Sequence, residues 1–168
     1  SGRAARVIAS DVSAASLQKA ERRLAGCTGV ETRLGDGLQV LRPDERPDVI
    51  VMAGMGGGLI VDMLRGYAGG ATLILSAQSE TYRLRTFLIE SGYRITDDVV
   101  VEDRRKFYDV LRAVPGEQTA DEMQKKFGLF YRRPNVALLH KCEFDIRRLA
   151  GTPCDVRDVE EVIRWQRQ

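Results

Sequence analysis

Along this chain of 168 residues the apolar positions change period several times, and each change marks a boundary between elements. Residues 6–10 form a short apolar-rich run closed by Asp11, the length of one strand. Ser13 then stands as an N-cap, and Leu17, Ala20 and Leu24 recur on one face of a helix that Gly26 ends. Val30, Thr32 and Leu34 alternate at period two, a second strand that runs into Gly35-Asp36-Gly37. Residues 38–41 allow at most one helical turn, and 43–47 make a loop bounded by prolines. The unbroken apolar run 49–53 predicts a parallel strand buried on both faces. Four glycines among residues 54–58, interrupted only by Met55, lead straight into Leu59, Ile60, Met63 and Leu64 at helical spacing. Gly66 closes that helix. Gly69-Gly70 introduces a strand at 71–76, and Ser79-Glu80 opens a helix with Leu84, Phe87 and Leu88 inward and Gly92 at its end.

After Gly92 the rhythm changes. Residues 94–102 and 107–114 both read as strands, and the link Asp103-Arg104-Arg105-Lys106 is too short for a helix, so the pair is a β-hairpin. Parallel βα units followed by a hairpin predict an α/β fold, a Rossmann-like class I methyltransferase sheet, mostly parallel with an antiparallel edge hairpin. A plain nucleotide-binding Rossmann domain would continue with another crossover. From Pro115 onward the pattern is helical. Thr119-x-x-Glu122 has the form of a capping box, and Met123, Phe127 and Phe130 follow at spacings of four and three. Pro134-Asn135 breaks that helix. Leu139, Cys142, Ile146 and Leu149 then make a narrow stripe suited to one neighbouring helix. Gly151-Thr-Pro153 ends it, and Asp155 caps a last helix with Val159, Val162 and Ile163. The expected division is a Rossmann-like cofactor-binding domain over residues 1–115 and a small C-terminal helical appendage over 116–168.

Composition narrows the partners only a little. Hydrophobic residues make up 43% and charged residues 30% of the chain, ordinary for a globular protein. A net charge of +2 neither favours nor excludes nucleic acid. No apolar run approaches the ~20 residues of a membrane span, so no membrane partner is expected. Cys27, Cys142 and Cys154 are odd in number, far apart and outside any Cys-x-x-Cys spacing, which suits the reduced thiols of a cytoplasmic protein. His140 has no second His or Cys at ligand spacing; a helix-surface position and no metal are expected.

The candidate chemistry sits at strand ends, where open α/β sheets bind their ligands. Asp11 can accept both ribose hydroxyls of a nucleoside cofactor, or simply complement the dipole of the helix that follows. Asp36 can accept from an adenine amine, or serve as an Asx turn. The Gly54–Gly58 turn lets backbone approach a ligand with no Cβ in the way, or merely provides positive φ. Taken together, the three positions describe one nucleoside-shaped cleft. Leu59 occupies the last glycine of a nicotinamide fingerprint, no acidic residue closes the following strand about twenty residues on, and no Gly-Lys-Ser/Thr is present. A cofactor without phosphates, held by carboxylates, fits S-adenosylmethionine.

Four stretches occur in a telling order and spacing: Val7-Ile-Ala-Ser-Asp11, Arg33-Leu-Gly-Asp-Gly-Leu38, Val51-Met-Ala-Gly-Met-Gly-Gly57, and Glu102-Asp-x-x-x-Phe-Tyr108. With Phe127-Gly-Leu-Phe and Arg-Pro-Asn135, they make most of residues 6–151 similar to the bacterial tRNA (adenine-N1)-methyltransferase family that modifies adenine 22. Ala-Gly-Met-Gly-Gly is a specific mark, because most methyltransferases carry Asn/Asp-Pro-Pro there. The resemblance implies that Asp11, with Val12 beside it, holds the cofactor ribose and that Asp36-Gly37 hold the adenine. It also implies that Ala53, Gly54, Met55, Gly56 and Gly57 line the wall between cofactor and target base. Two departures stand out. Ser76-Ala77-Gln78 replaces the family's Gln-Pro-Asn after the fourth strand. The Asp-x-Gly-x-Asp-His-type loop that bears the family's catalytic acid has no counterpart before Asp11, so no catalytic residue is assigned. Ser1-Gly2 reads as the end of a helix, and the chain as a fragment of a longer protein that depends on an upstream strand for stability.

Adenine N1 carries a free lone pair, so its methylation needs alignment and electrostatics and no base. The target edge is a Watson–Crick edge, so the base must be unpaired or turned out. Grip on tRNA must come from phosphate contacts. Arg104, Arg105 and Lys106 at the hairpin tip, Tyr108 near them, Lys125, Lys126, Arg132 and Arg133 are the candidates; for each cation the alternative is a solvated surface charge. The tip is expected to stand far from the strand ends named above. Two rival readings are a methyltransferase of small molecules or proteins and a non-catalytic nucleoside- or RNA-binding remnant. A monomer is favoured.

Overall fold

The structure is a computed structural model that describes residues 4–149 and 156–168. These residues fall into two compact units, one made of the chain up to Arg46 with Met63–Tyr67, the other of Pro47–Asp62 with Ala68–Gln168.

In the first unit, β1 (Val7–Asp11) and β2 (Val30–Leu34) pair in parallel, joined by α1 (Ala14–Leu24). Ser13 caps α1, its Oγ accepting from the Ser16 N–H at 3.3 Å. Leu17 is the residue of α1 that is buried, and Gly26 leaves the helix at φ +88°. A single 3-10 turn covers Gly37–Val40, as the short apolar stretch there predicts. An ion cluster ties the loop before Arg46 to β2. The Arg33 guanidinium bonds Glu31 at 2.8 Å and Glu45 at 2.6 Å, and Arg6 reaches both carboxylates. Hydrogen bonds from Arg33 and then Arg6 hold the Glu31 carboxyl at about 2.

The second unit contains β3 (Val49–Met55), α2 (Gly57–Leu64, whose last two residues belong to the first unit), β4 (Thr72–Ala77), α3 (Thr81–Glu90), β5 (Tyr93–Asp103) and β6 (Lys106–Pro115). Its sheet runs in the order β3-β4-β6-β5, parallel between β3 and β4 and antiparallel elsewhere. Ile50 and Met52 pair with Leu73 and Leu75, which pair in turn with Ala113 and Leu111, so one face of the sheet carries the core. Ile60, Val61, Leu84 and Leu88 are buried with them. On the opposite face of β3, Val51 is 67% and Val49 49% exposed. The apolar run 49–53 is therefore buried on one face only, contrary to its expected burial on both. β3 is an edge strand of its sheet, and apolar composition alone does not say how many faces are covered.

After Pro115 three departures from the sequence pattern have local causes. The capping box is Asp121 with Gln124, not Thr119 with Glu122. The Gln118 side chain brackets Ile95, accepting its N–H at 2.8 Å and donating to its carbonyl, which holds this stretch along β5 and delays the helix. That helix, α4 (Glu122–Phe127), stops at Gly128 with φ +110°, before Phe130 and Pro134. Asn135 instead caps the next helix, α5 (Val136–Leu149), accepting from the Leu138 N–H at 3.0 Å. The inward stripe of α5 begins at Leu138, not Leu139. With α6 (Arg157–Gln166), these helices build a core of Tyr131, Leu138, Cys142 and Val162 against Val100 of β5. Ser1-Gly2, the Leu149 side chain, Gly151-Thr-Pro153, Cys154 and Asp155 lie outside the described residues.

One buried polar network joins the sheet to the helices. Arg85 on α3 has no exposed surface; it bonds Asp98 of β5 at 2.9 and 3.0 Å and Asp109 of β6 at 2.7 Å. It also donates to the carbonyls of Lys125 and Lys126 at the end of α4. Asp98 accepts from the Leu129 N–H, and Asp109 from Lys141 of α5.

Candidate functional site

Parallel pairing of β1 with β2 sets Asp11 opposite Leu34, so Asp36, two residues further on, falls at the same carboxyl edge. Asp11 Oδ1 accepts from the Ser13 N–H at 2.7 Å, and the Asp11 carbonyl accepts from the Gly35 N–H at 3.1 Å. One carboxylate oxygen thus shapes the turn into α1, while Oδ2 has no partner among the described residues. Asp36 is exposed and stands at the start of the 3-10 turn, yet its side chain makes no capping bond. The Asx-turn alternative is therefore not realised at Asp36, whose carboxylate has no hydrogen-bond partner among the described residues. Gly37 follows at φ +50°, and Val12 is two-thirds exposed.

At the carboxyl end of β3 the glycines divide into two kinds. Gly54 turns at φ +82° with nothing within 4 Å of where a Cβ would stand. The next three are packed against the loop that joins β4 to α3. A Cβ on Gly57 would come within 2.6 Å of the Glu80 carbonyl oxygen and 2.8 Å of that of Ser79; one on Gly56 would meet Ser79 Oγ at 2.9 Å, and one on Gly58 the Glu80 carboxylate. Gly57 N–H donates to the Ser79 carbonyl at 2.8 Å, and Gln78 N–H to the Met55 carbonyl at 3.0 Å. The turn through Ala53, Gly54, Met55, Gly56 and Gly57 and the loop Gln78-Ser79-Glu80, which follows Ser76 and Ala77 of β4, thus form one double layer, locked by reciprocal backbone bonds. Glu80 itself sits in the left-handed region at φ +53°.

The candidate cations are not equivalent. Lys125 bonds Glu122 at 3.1 Å, and Lys126 bonds Asp158 at 2.6 Å. Arg132 lies over the rings of Tyr131 and Trp165, 5.3 and 5.1 Å from their centroids, and Arg133 over Phe130 at 4.0 Å. Arg104, Arg105 and Lys106 are exposed and make no ion pair among the described residues; Tyr108 is half-buried on β6 opposite Val101. Within the second unit the tip stands beyond the same edge as the ends of β3 and β4. β6 runs antiparallel to β4, and its Asp109 pairs with Ala77, the last residue of β4, so the hairpin leaves the sheet at its carboxyl edge. Hairpin pairing was legible in the sequence, but the strand against which it docks was not.

His140 is a surface residue, as expected, with Nδ1 2.8 Å from Glu102 Oε2. Among the described residues no group of three metal-binding side chains occurs, and no helix is long and apolar enough to cross a membrane. Sequence reasoning missed the Arg85 network. Its signal was present: Asp98 and Asp109 fall at inward-facing positions of their strands, and Arg85 follows the inward Leu84 on its helix.

Carboxylates at the carboxyl edge of one sheet and a glycine turn at the carboxyl end of another are features of Rossmann-like methyltransferases, and solved structures bear out that fold. The Streptococcus pneumoniae protein Sp1610 in complex with S-adenosyl-L-methionine superposes with a TM-score of 0.84 at 24% identity, covering 99% of this chain and 81% of that one. TrmK of M. capricolum, bound to S-adenosyl-homocysteine, does so with a TM-score of 0.78 at 18% identity, covering 97% and 79%. Residues 1–151 match the family model described as TrmK: tRNA (adenine(22)-N(1))-methyltransferase, and the chain belongs to that family. The tRNA (adenine(22)-N(1))-methyltransferase of Bacillus subtilis (strain 168) is 36% identical over 95 residues, 54% of this chain. That match spans 40% of the length of the curated relative.

Proposed function

We propose that this chain belongs to an enzyme that transfers a methyl group from S-adenosylmethionine to N1 of an adenine in tRNA, at position 22. Membership of the family over residues 1–151 is the observation that carries this reading. The side chains present fit the cofactor: Asp36 offers an exposed, uncapped carboxylate, and Asp11 retains one unbonded oxygen at the same edge. In this reading Asp11 and Val12 hold the ribose, and Asp36 with Gly37 hold the adenine. S-adenosylmethionine supplies an electrophilic methyl on a sulfonium. Ala53 and Gly54 to Gly57 present a rigid backbone wall to the target base, held in shape by the Ser79 and Gln78 bonds. The nucleophile is a neutral ring nitrogen, so these residues need only orient it and exclude water. Arg104, Arg105, Lys106, Tyr108, Lys125, Lys126, Arg132 and Arg133 are the candidate tRNA contacts, and the protein works in the cytoplasm.

The test is incorporation of labelled methyl from S-adenosylmethionine into a tRNA transcript, beside a transcript in which adenine 22 is replaced by uridine. Label in the first and none in the second is expected. Equal label in both would refute the assigned position, and label in protein or small molecules alone would favour the rival substrate class.

A further inference from the structure

The β5–β6 hairpin continues past the end of β4, with Phe107 at its base packed on Phe144 of α5. Past the Asp109–Ala77 pairing, the pairs Val101–Tyr108, Glu102–Phe107 and Asp103–Lys106 have no β4 partner, a reach of about 10 Å at ~3.3 Å per residue. At its tip Arg104 and Arg105 adopt φ +48° and +64°. Two successive positive φ values are the shape of a type I′ turn, whose low-energy sequences are Asn-Gly and Gly-Gly. Arginine at either position is strained by its Cβ. A strained side chain is retained where something uses it, yet neither guanidinium has a partner among the described residues. The candidate cations outside the hairpin differ: Lys125 and Lys126 bond Glu122 and Asp158, and Arg132 and Arg133 lie over aromatic rings.

We propose that the Arg104-Arg105 tip is an RNA-binding arm that grips phosphates and delivers tRNA to the carboxyl edge of the sheet, where the Gly54 turn also lies. The inference rests on the tRNA methyltransferase reading and deepens it, by separating this arm from the cations that brace the C-terminal helices. A guanidinium binds phosphate through two parallel N–H donors, which suits a narrow arm addressing individual phosphates. Asp103 flanks the tip and would be driven against any flat anionic surface, so RNA fits better than a membrane.

The experiment uses the whole chain, an unmodified tRNA transcript and the double variant R104N/R105G, which installs the favoured turn sequence. The variant melts no lower than the parent, because strain is relieved. Its tRNA affinity falls, and the slope of log affinity against log salt shrinks by about 1.4 to 1.8 if each arginine neutralises one phosphate. Over a fourfold rise in salt the parent then loses about 7- to 12-fold more affinity than the variant. R104K/R105K, with the charge kept, retains most of the slope. An unchanged affinity and slope in R104N/R105G, with the parent binding tRNA, overturns the arm and leaves the methyltransferase reading intact. A loss of binding to anionic vesicles with tRNA binding unchanged also overturns it. A parent that binds no tRNA at any salt overturns the underlying reading, and the arm with it.

Discussion

Arg85→Met is the substitution with the largest calculable effect. Arg85 and Asp98 are almost wholly buried, and the guanidinium gives Asp98 two hydrogen bonds and Asp109 a third. Methionine matches the apolar stem but leaves two buried carboxylates short of charge. Among the described residues Asp98 keeps only the Leu129 N–H, and Asp109 only Lys141. Removing one partner of a buried ion pair costs about 3–5 kcal/mol, and at about 2–4 °C per kcal/mol for a chain of this length the melting midpoint falls by about 6–20 °C. The single tryptophan, Trp165 on α6, makes fluorescence a probe of the second unit in urea or on heating. pH supplies a second check. Burial alone would raise the Asp109 carboxyl, but Lys141 and Arg85 outweigh it and hold it below its ordinary 3.8. A lowered carboxyl contributes stability above its unfolded value, and that stability is lost as pH falls through the folded value. With Arg85 gone the carboxyl rises and protonates earlier, so the deficit of the variant is greatest near neutrality and narrows below about pH 4. A midpoint within about 2 °C of the parent at pH 7, or a deficit that grows in acid, would refute the reasoning.

Asp11→Ala and Asp36→Ala each weaken S-adenosylmethionine binding about ten- to a hundredfold, the worth of one charge-assisted hydrogen bond; unchanged calorimetric affinity in both would remove these carboxylates from the site. Gly57→Ala lowers the melting midpoint more than Gly54→Ala, because its Cβ meets two backbone oxygens inside 3 Å while Gly54 faces only the cost of positive φ; equal shifts would show that the two loops do not press together. Burial pushes the Cys142 thiol up to about 12, so maleimide at about pH 7.5 labels exposed Cys27 before Cys142, and peptide mapping that finds Cys142 labelled as fast as Cys27 would contradict the packed helical core.

Local signals survived the step from sequence to structure best. The glycine stops at 26, 66 and 92, the Ser13 cap, the glycine turn and the hairpin depend on a few neighbouring residues, and each stands where the pattern put it. Strand 49–53 shows where local reading ends: its residues are apolar enough for two covered faces, but coverage depends on neighbours far away in sequence. The capping box shifted because Gln118 finds Ile95, a contact across 23 residues that no window detects. The cations behaved alike in sequence and differ in the structure, since only packing decides which find an acid or a ring. At the candidate site, the placement of Asp11 and Asp36 at strand ends was legible. The role of Gly56, Gly57 and Gly58 in docking against the Ser79-Glu80 loop was not, because a tight turn and a close approach leave the same glycines behind.

The product itself reports which atom and which residue receive the methyl group. After incubation with S-adenosylmethionine, the tRNA transcript is digested at neutral pH and its nucleosides are separated and weighed by mass spectrometry, with primer extension to locate the modification. 1-Methyladenosine, with an extension stop at adenine 22, is the predicted result. N6-methyladenosine as the product, or 1-methyladenosine at another position, would contradict it.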